Sequence, residues 1–314
     1  MKVVALAGGV GGARLAQGLA QTGVDLTIVV NTGDDFTHLG LKISPDIDTV
    51  TYTLAGIANR AQGWGVDGET TAAMAQIKRL GGEDWFLLGD RDLALHILRT
   101  AGLAAGKPLS QVTAELARSL GITARILPMS DDPVATIVTT PDGDMAFQHW
   151  FVRERAAPQV TGLRFAGITD ARPAPGVIAA LQAADLVVLC PSNPYLSLDP
   201  ILQLPGIRQA IHAPVVAVSP IIGGQAVKGP AAQLMRDHGR EVSPRGIAQH
   251  FAGVIDGLVI DHADAALAAT IGLPVRVTKS LMKTDADRLA LANCCLRLGM
   301  ALLNDRAQTS KARA

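Results

Sequence analysis

The chain of 314 residues carries 28 lysines and arginines against 28 aspartates and glutamates, so its net charge is zero and any strong field must be local. This balance argues against nucleic acid as the main partner, because duplex binding draws on a basic surplus, and an aromatic content of 4% leaves few platforms for single strands. With 48% hydrophobic and 18% charged residues the chain is globular, yet it has no apolar run of the roughly 18 residues needed to span a bilayer.

Residues 3–7, after Lys2, open like a signal peptide, but Gly8, Gly9, Gly11, Gly12 and Arg14 interrupt the run too early, so a cytoplasmic protein is expected. The same run reads as a buried strand, as do residues 26–31, 84–88, 185–190, 215–219 and 257–260. Each is nearly continuous in apolar side chains, the mark of a parallel strand covered on both faces. Such runs recur with glycine and then helical periodicity behind them, so the predicted fold is α/β, a Rossmann-like, mostly parallel sheet flanked by helices. Helical periodicity occupies residues 49–59, 70–80, 93–101 and 110–120, with Ser110 as the expected N-cap and Gly121 ending the last helix. This makes residues 49–120 a smaller, mainly helical layer inserted in a core of residues 1–48 and 121–303. Residues 135–140 and 145–152 flank Pro141-Asp142-Gly143-Asp144 and predict a β-hairpin, while the polar stretch 304–314 reads as a frayed, flexible tail. Cys190, Cys294 and Cys295 are too few and too irregular for a disulfide framework or a zinc site and are expected as buried thiols.

Chemistry gathers where strands end. At the first junction, Gly8, Gly9, Gly11 and Gly12 lead into a helix whose free N–H groups and positive dipole end suit a phosphate. Arg14 stands where the third small residue of a dinucleotide fingerprint belongs, and no GK[ST] follows, so an NAD site and a Walker ATPase are both disfavoured; a tight packing turn is the plain alternative. Beyond the second strand, Asp34, Asp35, Asp46 and Asp48 fall within fifteen residues, with Lys42 the only basic side chain among them. Single members fit a helix cap or a turn, but four like charges together call for a cation, and hard oxygen ligands suit Mg²⁺ shared with substrate phosphates. Arg91, between Asp90 and Asp92, is either neutralised by them or free to grip a phosphate or the carbonyl edge of a heterocycle. The loop Pro128 to Pro133 is another acidic turn. Pro191-Ser192-Asn193-Pro194 places small hydrogen-bonding groups at a strand's carboxyl edge, and Gly223-Gly224 leads to Lys228, ahead of a proline-opened helix, as a second anion loop. The lone histidines His149, His212, His250 and His262 show no ligand spacing and are assigned to the surface or a satisfied core.

In this order, GGVGGARL, NTGDDFTHLGLKISPDIDTVTYTLAG, LGDRDLALHILR, ILPMSDDP, PSNP and VSPIIGGQAVKGPAA resemble the 2-phospho-L-lactate transferases of coenzyme F-420 biosynthesis, over almost the whole chain. The resemblance implies a Mg²⁺-dependent enzyme with a Rossmann-like core and a smaller helical part, usually a homodimer. Such enzymes move a phospho-acid group from a guanosine-diphospho-activated lactate or enolpyruvate to the deazaflavin Fo, releasing GMP. It places Asp48 and Arg91 on Fo, the glycine loop Gly8, Gly9, Gly11 and Gly12 on phosphate, and Ser192, Asn193, Gly223 and Lys228 on the nucleotide side. Our reading adds His38 to the Fo contacts, Asp34 and Asp48 as metal ligands, and Asp46 or Asp48 as the group that orients or deprotonates the attacking hydroxyl. Whether lactate, enolpyruvate or glycerate is carried stays open. A non-catalytic nucleotide-sugar-binding regulator shares the glycine loop and the acidic stretch and is the rival reading; the SPDID and GDRD motifs, which transfer needs and binding does not, separate the two.

Overall fold

The computed structural model describes residues 1–313, with side chains through residue 308. Its main sheet has seven strands: β1 (Lys2–Ala7), β2 (Asp25–Val30), β3 (Arg125–Pro128), β4 (Leu186–Leu189), β5 (Val215–Val218), β6 (Gly257–Asp261) and β7 (Val275–Thr278). All neighbours pair in parallel, in the order β7-β6-β5-β4-β1-β2-β3. The reason is legible in β1. Val3, Ala5 and Ala7 point to one face, Val4 and Leu6 to the other, and all five are at most 2% exposed, so both faces must be covered. One face packs on α1 (Gly9–Ala20) and the C-terminal helix Asp285–Arg313, the other on the shorter helices after β4 and β5.

The strand order reverses between β1 and β4, and their carboxyl ends diverge into the crevice where open α/β sheets bind ligands. Four helices form the layer beside the sheet: α2 (Pro45–Leu54), α3 (Ala72–Arg79), α4 (Asp90–Ala104) and α5 (Leu109–Ser119). Of these, α2 packs directly on α1 and brings its first turn to the crevice. The expected hairpin forms from Ala135–Thr140 and Gly143–Ala146, and Gly162–Ala166 extends it to three antiparallel strands. Among the described residues no helix is long and apolar enough to cross a membrane, and all three cysteines are buried.

Several expectations are corrected. Residues 84–88 form no strand: Trp85, Phe86 and Leu88 are packed by their side chains against Phe36, Ile43 and Met74, which satisfies the apolar run without a ladder. The first helix of the layer starts at Pro45, four residues earlier than the periodicity suggests, because Pro45 sits in its first turn, and it ends at Leu54, five residues earlier. After Ala146 the chain coils at His149–Arg153 instead of extending to 152. Ser110 lies inside α5; both its N–H and its hydroxyl donate to Asp131, which does the capping from the acidic loop. Gly121, at φ 73°, closes that helix as expected. Residues 304–313, read as a frayed tail, continue the C-terminal helix, and Ala314 lies outside the described residues.

The C-terminal helix reaches α1 only because Gly18 has no side chain: a Cβ there would stand 2.3 Å from the Arg288 carbonyl oxygen. Alanine is the better helix former by about 1 kcal/mol, but overpacking costs about 1–3 kcal/mol, so Gly18→Ala is expected to destabilise the protein. Urea unfolding measures the sign; a stabilised variant would show that this helix contact is not tight.

Candidate active site

Backbone amides and carboxylates meet at the crevice. Asp46, on the first turn of α2, accepts a hydrogen bond from the Gly9 N–H at 2.6 Å and another from the Asn31 amide at 3.0 Å. Gly8 must be glycine for this approach, since a Cβ there would lie 2.3 Å from an Asp46 oxygen. Across the crevice the Gly8 N–H donates to Ser192 Oγ at 3.0 Å, and that hydroxyl donates back to the Gly8 carbonyl at 2.8 Å. A Cβ on Gly11 would strike the Pro191 carbonyl oxygen at 2.2 Å. The glycine loop is therefore both a helix start suited to an anion and a close-packing joint, and the group it holds in this structure is the protein's own Asp46 carboxyl.

Asp34, Asp35 and Asp46 form a buried acidic group. Asp34 is 7% exposed; burial first, then the charges of Asp46 and Asp35, push its carboxyl well above the usual range. Burial also raises Asp46, against the hydrogen bonds from Asn31, Gly9 and Ser197. Asp35 is raised well above its usual range by burial as well; Ser44 donates to one of its oxygens at 2.7 Å, while the other is buried without a partner. Among the described residues no lysine or arginine nitrogen lies within 4.0 Å of these three carboxylates. Oxygen donors of this kind are the hard ligands that a divalent cation prefers, although the ligand atoms of these three are not gathered as closely as those of Asp48, Asp92 and His96.

Asp48, one turn along α2, has a different setting. Both its oxygens accept from the guanidinium of Arg99, which is 1% exposed and also donates to the Lys42 carbonyl. Burial works against the Arg99 charge, but Asp48, with Asp35 and Tyr52 adding to it, holds the pKa above its ordinary value. His96 Nδ1 lies 3.6 Å from Asp48, His96 Nε2 lies 3.1 Å from Asp92, and the Tyr52 hydroxyl, kept protonated by burial and these carboxylates, donates to Asp92. Asp48, Asp92 and His96 offer three ligand atoms within 4.8 Å of one another, but Arg99 already supplies the cation of this group. Asp48 is thus held by an ion pair, whereas Asp34 has the company of Asp46 and Asp35.

The remaining candidates are distributed around this centre. His38 is buried in an aromatic cluster with Phe36, Trp85 and Phe86, where desolvation lowers its pKa, and His149 packs edge-on to Trp85 at 4.8 Å. Arg91 is exposed and donates to the Asp67 carbonyl at 2.7 Å. Its flanking aspartates do not neutralise it: Asp90 caps α3 through Ala72 and Ala73, and Asp92 belongs to the His96 network. Asn193 spends its side-chain oxygen on the following turn and keeps a buried amide nitrogen without a partner. Gly223 and Gly224, at φ 56° and 75°, form the two-residue turn of a small hairpin, and the Gly223 N–H donates to Asp264 at 3.0 Å. Lys228 reaches across to the Gln62 and Gly63 carbonyls at 3.4 and 3.2 Å. Of the lone histidines, His250 is satisfied by Asp199 at 2.9 Å.

Asn31, Asp92, His96, Arg99 and Tyr52 were not singled out from sequence. A signal was there: Asp92, His96 and Arg99 recur at helical spacing on one face of α4, and Tyr52 follows Asp48 by one turn, so these polar groups share faces.

A family model described as 2-phospho-L-lactate transferase CofD matches residues 3–295. The chain belongs to this family. It is 42% identical to a phosphoenolpyruvate transferase of Thermobifida fusca over 96% of this chain and 99% of that one. It is 40% identical to a 2-phospho-L-lactate transferase of Methanopyrus kandleri, over 95% and 97%. Membership makes it a transferase and removes the rival reading of a non-catalytic regulator. Among solved structures, a Bacillus halodurans protein of the UPF0052 family superposes with a TM-score of 0.63 at 16% identity, covering 94% of this chain and 98% of that one; this likeness shows the α/β fold alone.

The raised carboxyls predict a pH dependence. Below the unfolded carboxyl pKa of about 3.9 both states are protonated and the shift has no effect. Above it the unfolded chain ionises first, so stability falls as pH rises toward the higher native value. Asp34→Asn is expected to raise the melting temperature at pH 7 in metal-free buffer and to flatten that fall; thermal scans from pH 4 to 8 read both effects, and an unchanged profile would place the strain elsewhere.

Proposed function

We propose that the chain transfers a 2-phospho acid from a guanosine-diphospho-activated donor to the terminal ribityl hydroxyl of the deazaflavin Fo, releasing GMP. The observation that carries this reading is the meeting of glycine-loop amides, a helix start, the buried carboxylates Asp34, Asp46 and Asp48 and the half-buried Asp35 at one sheet edge. Breaking a diphosphate calls for placed donors and neutralised charge more than for covalent chemistry.

Mg²⁺ held by Asp34 with a neighbouring carboxylate would neutralise charge on the diphosphate. Asp48, fixed by Arg99, orients the Fo hydroxyl, and Asp46 or Asp48 accepts its proton as the oxygen attacks phosphorus. A P–O bond forms to the acceptor while the bond between the two phosphates breaks, and the leaving group departs as GMP. Half-buried Trp85, with Phe36, His38, Phe86 and His149 around it, offers a face for a flat tricyclic ring, and Arg91 a donor fork for the ring's carbonyl edge. Ser192 and Asn193 border the nucleotide side, where Asn193 keeps a spare donor. Of the possible acids we favour enolpyruvate, because relatives bearing the name phosphoenolpyruvate transferase match at 42–44% identity and those named for phospholactate at 40–41%. The expected homodimer is supported by Leu80, Ile97 and Leu98, which the helical layer leaves exposed.

Supplying Fo with each of the three guanylylated acids and Mg²⁺, followed by mass spectrometry, is expected to show the phosphodiester most strongly in the enolpyruvyl arm. Asp48→Asn is expected to lower kcat by about 10²–10⁴-fold. Full turnover in that variant would remove Asp48 from the mechanism.

A further inference from the structure

Beside the crevice lies a small open cleft that the reading above leaves without a role. Val10 of α1 and Thr49 of α2 are among its lining residues, so it adjoins the glycine loop and the helix turn bearing Asp46 and Asp48. Its walls are cationic. Arg14 comes from α1, Arg60 from the loop after α2, and Arg288 from the first turn of the C-terminal helix. Lys228 stands at the rim, where its ammonium bridges to the carbonyls of Gln62 and Gly63.

The counter-charge is too small for four cations. Arg60 and Arg288 share one carboxylate, Asp285, at 3.4 and 2.8 Å. Among the described residues Arg14 and Lys228 have backbone carbonyls, not carboxylates, as their partners: Arg14 donates to Met282 at 3.1 Å. The Arg288 side chain is 4% exposed, yet its Nε is buried without a partner. The charges also feel one another. Burial lowers the pKa of Arg288, with Arg60 and Arg14 adding to that, and burial followed by Arg14 lowers Lys228. Four elements distant in sequence therefore converge like charges on one concavity, which costs stability unless an anion occupies it. Trp64, 40% exposed, adds a flat apolar wall at the same opening.

We propose that this cleft is an oxyanion subsite for the donor, in which Arg14, Arg60 and Arg288 grip a carboxylate or phosphate group lying one step beyond the glycine loop. The proposal deepens the transferase reading and rests on it for the identity of the donor. A guanidinium fork matches either planar carboxylate or phosphate oxygens, so the donor offers two sources for the group: the carboxylate of the carried acid, or a phosphate of the nucleotide. In either case these arginines set which acid or nucleotide is accepted, and they leave the chemistry itself to the carboxylates of α2.

Titration calorimetry on the full chain in Mg²⁺ buffer separates the sources, using GDP, phosphoenolpyruvate and inorganic pyrophosphate as probes. The variants are Arg60→Ala and Arg14→Gln, with Arg60→Lys as the charge-keeping control and circular dichroism as the check on folding. Arg60 is largely exposed, so its replacement leaves the core untouched. We expect both neutral variants to weaken at least one probe tenfold or more and Arg60→Lys to recover part of the loss. Weakening confined to phosphoenolpyruvate assigns the subsite to the acid; weakening of GDP assigns it to the nucleotide. If the parent protein binds pyrophosphate with this arginine dependence but neither GDP nor phosphoenolpyruvate, the subsite stands and the transferase donor assignment falls. Folded variants that bind every probe within twofold of the parent protein overturn the subsite, as does a parent protein that binds none of the three.

Discussion

The contact between the Gly9 N–H and the Asp46 carboxylate is the constraint on which the rest of the site depends. It joins the first turn of α1 to the first turn of α2, and it forms only because Gly8 lets a carboxylate oxygen come within 2.3 Å of where a Cβ would be. Asn31, fully buried at the end of β2, ties the same carboxylate to β2 and to the Leu196 carbonyl beyond β4. The reciprocal Gly8–Ser192 hydrogen bonds close the third side. Three strand ends and two helix starts are thereby fixed around one polar point, on rigid elements and not on loop tips.

Around that point the charges divide by how each is compensated. Asp48 has Arg99, which fixes its direction. Asp34, Asp35 and Asp46 have no such partner and are held out of water at the expense of their ionisation. This is the arrangement expected of a site whose missing positive charge arrives with the ligand. The cationic cleft is its complement: an excess of guanidinium groups with one carboxylate between them. The proposed donor, with a diphosphate at one place and a carboxylate at another, matches an acidic pocket next to a basic one better than it matches either alone.

Much of the fold was legible in the chain. Runs such as residues 3–7 and 186–189 are apolar at every position, and a strand buried on both faces needs that. Residues 84–88 look the same and are not a strand, because an apolar run records burial and not the hydrogen-bonding partner. Strands β3 and β7 were missed for the opposite reason: at the two ends of the sheet they are short and flanked by charge, and their pairing is decided by β2 and β6.

The site divides in the same way. Sequence alone determined that glycines and aspartates end the first two strands, since a tight strand-to-helix junction and a polar carboxyl edge are local properties. Only the tertiary structure decided which charges meet: Asp48 with Arg99 across 51 residues, Asp46 with Gly9 across 37, and Arg14 with Arg60 and Arg288 around one cleft. Local periodicity encodes which face of an element is buried. The partner of a buried charge depends on where a second element's side chain arrives after packing, and that distance is set by glycine contacts and helix angles rather than by spacing along the chain.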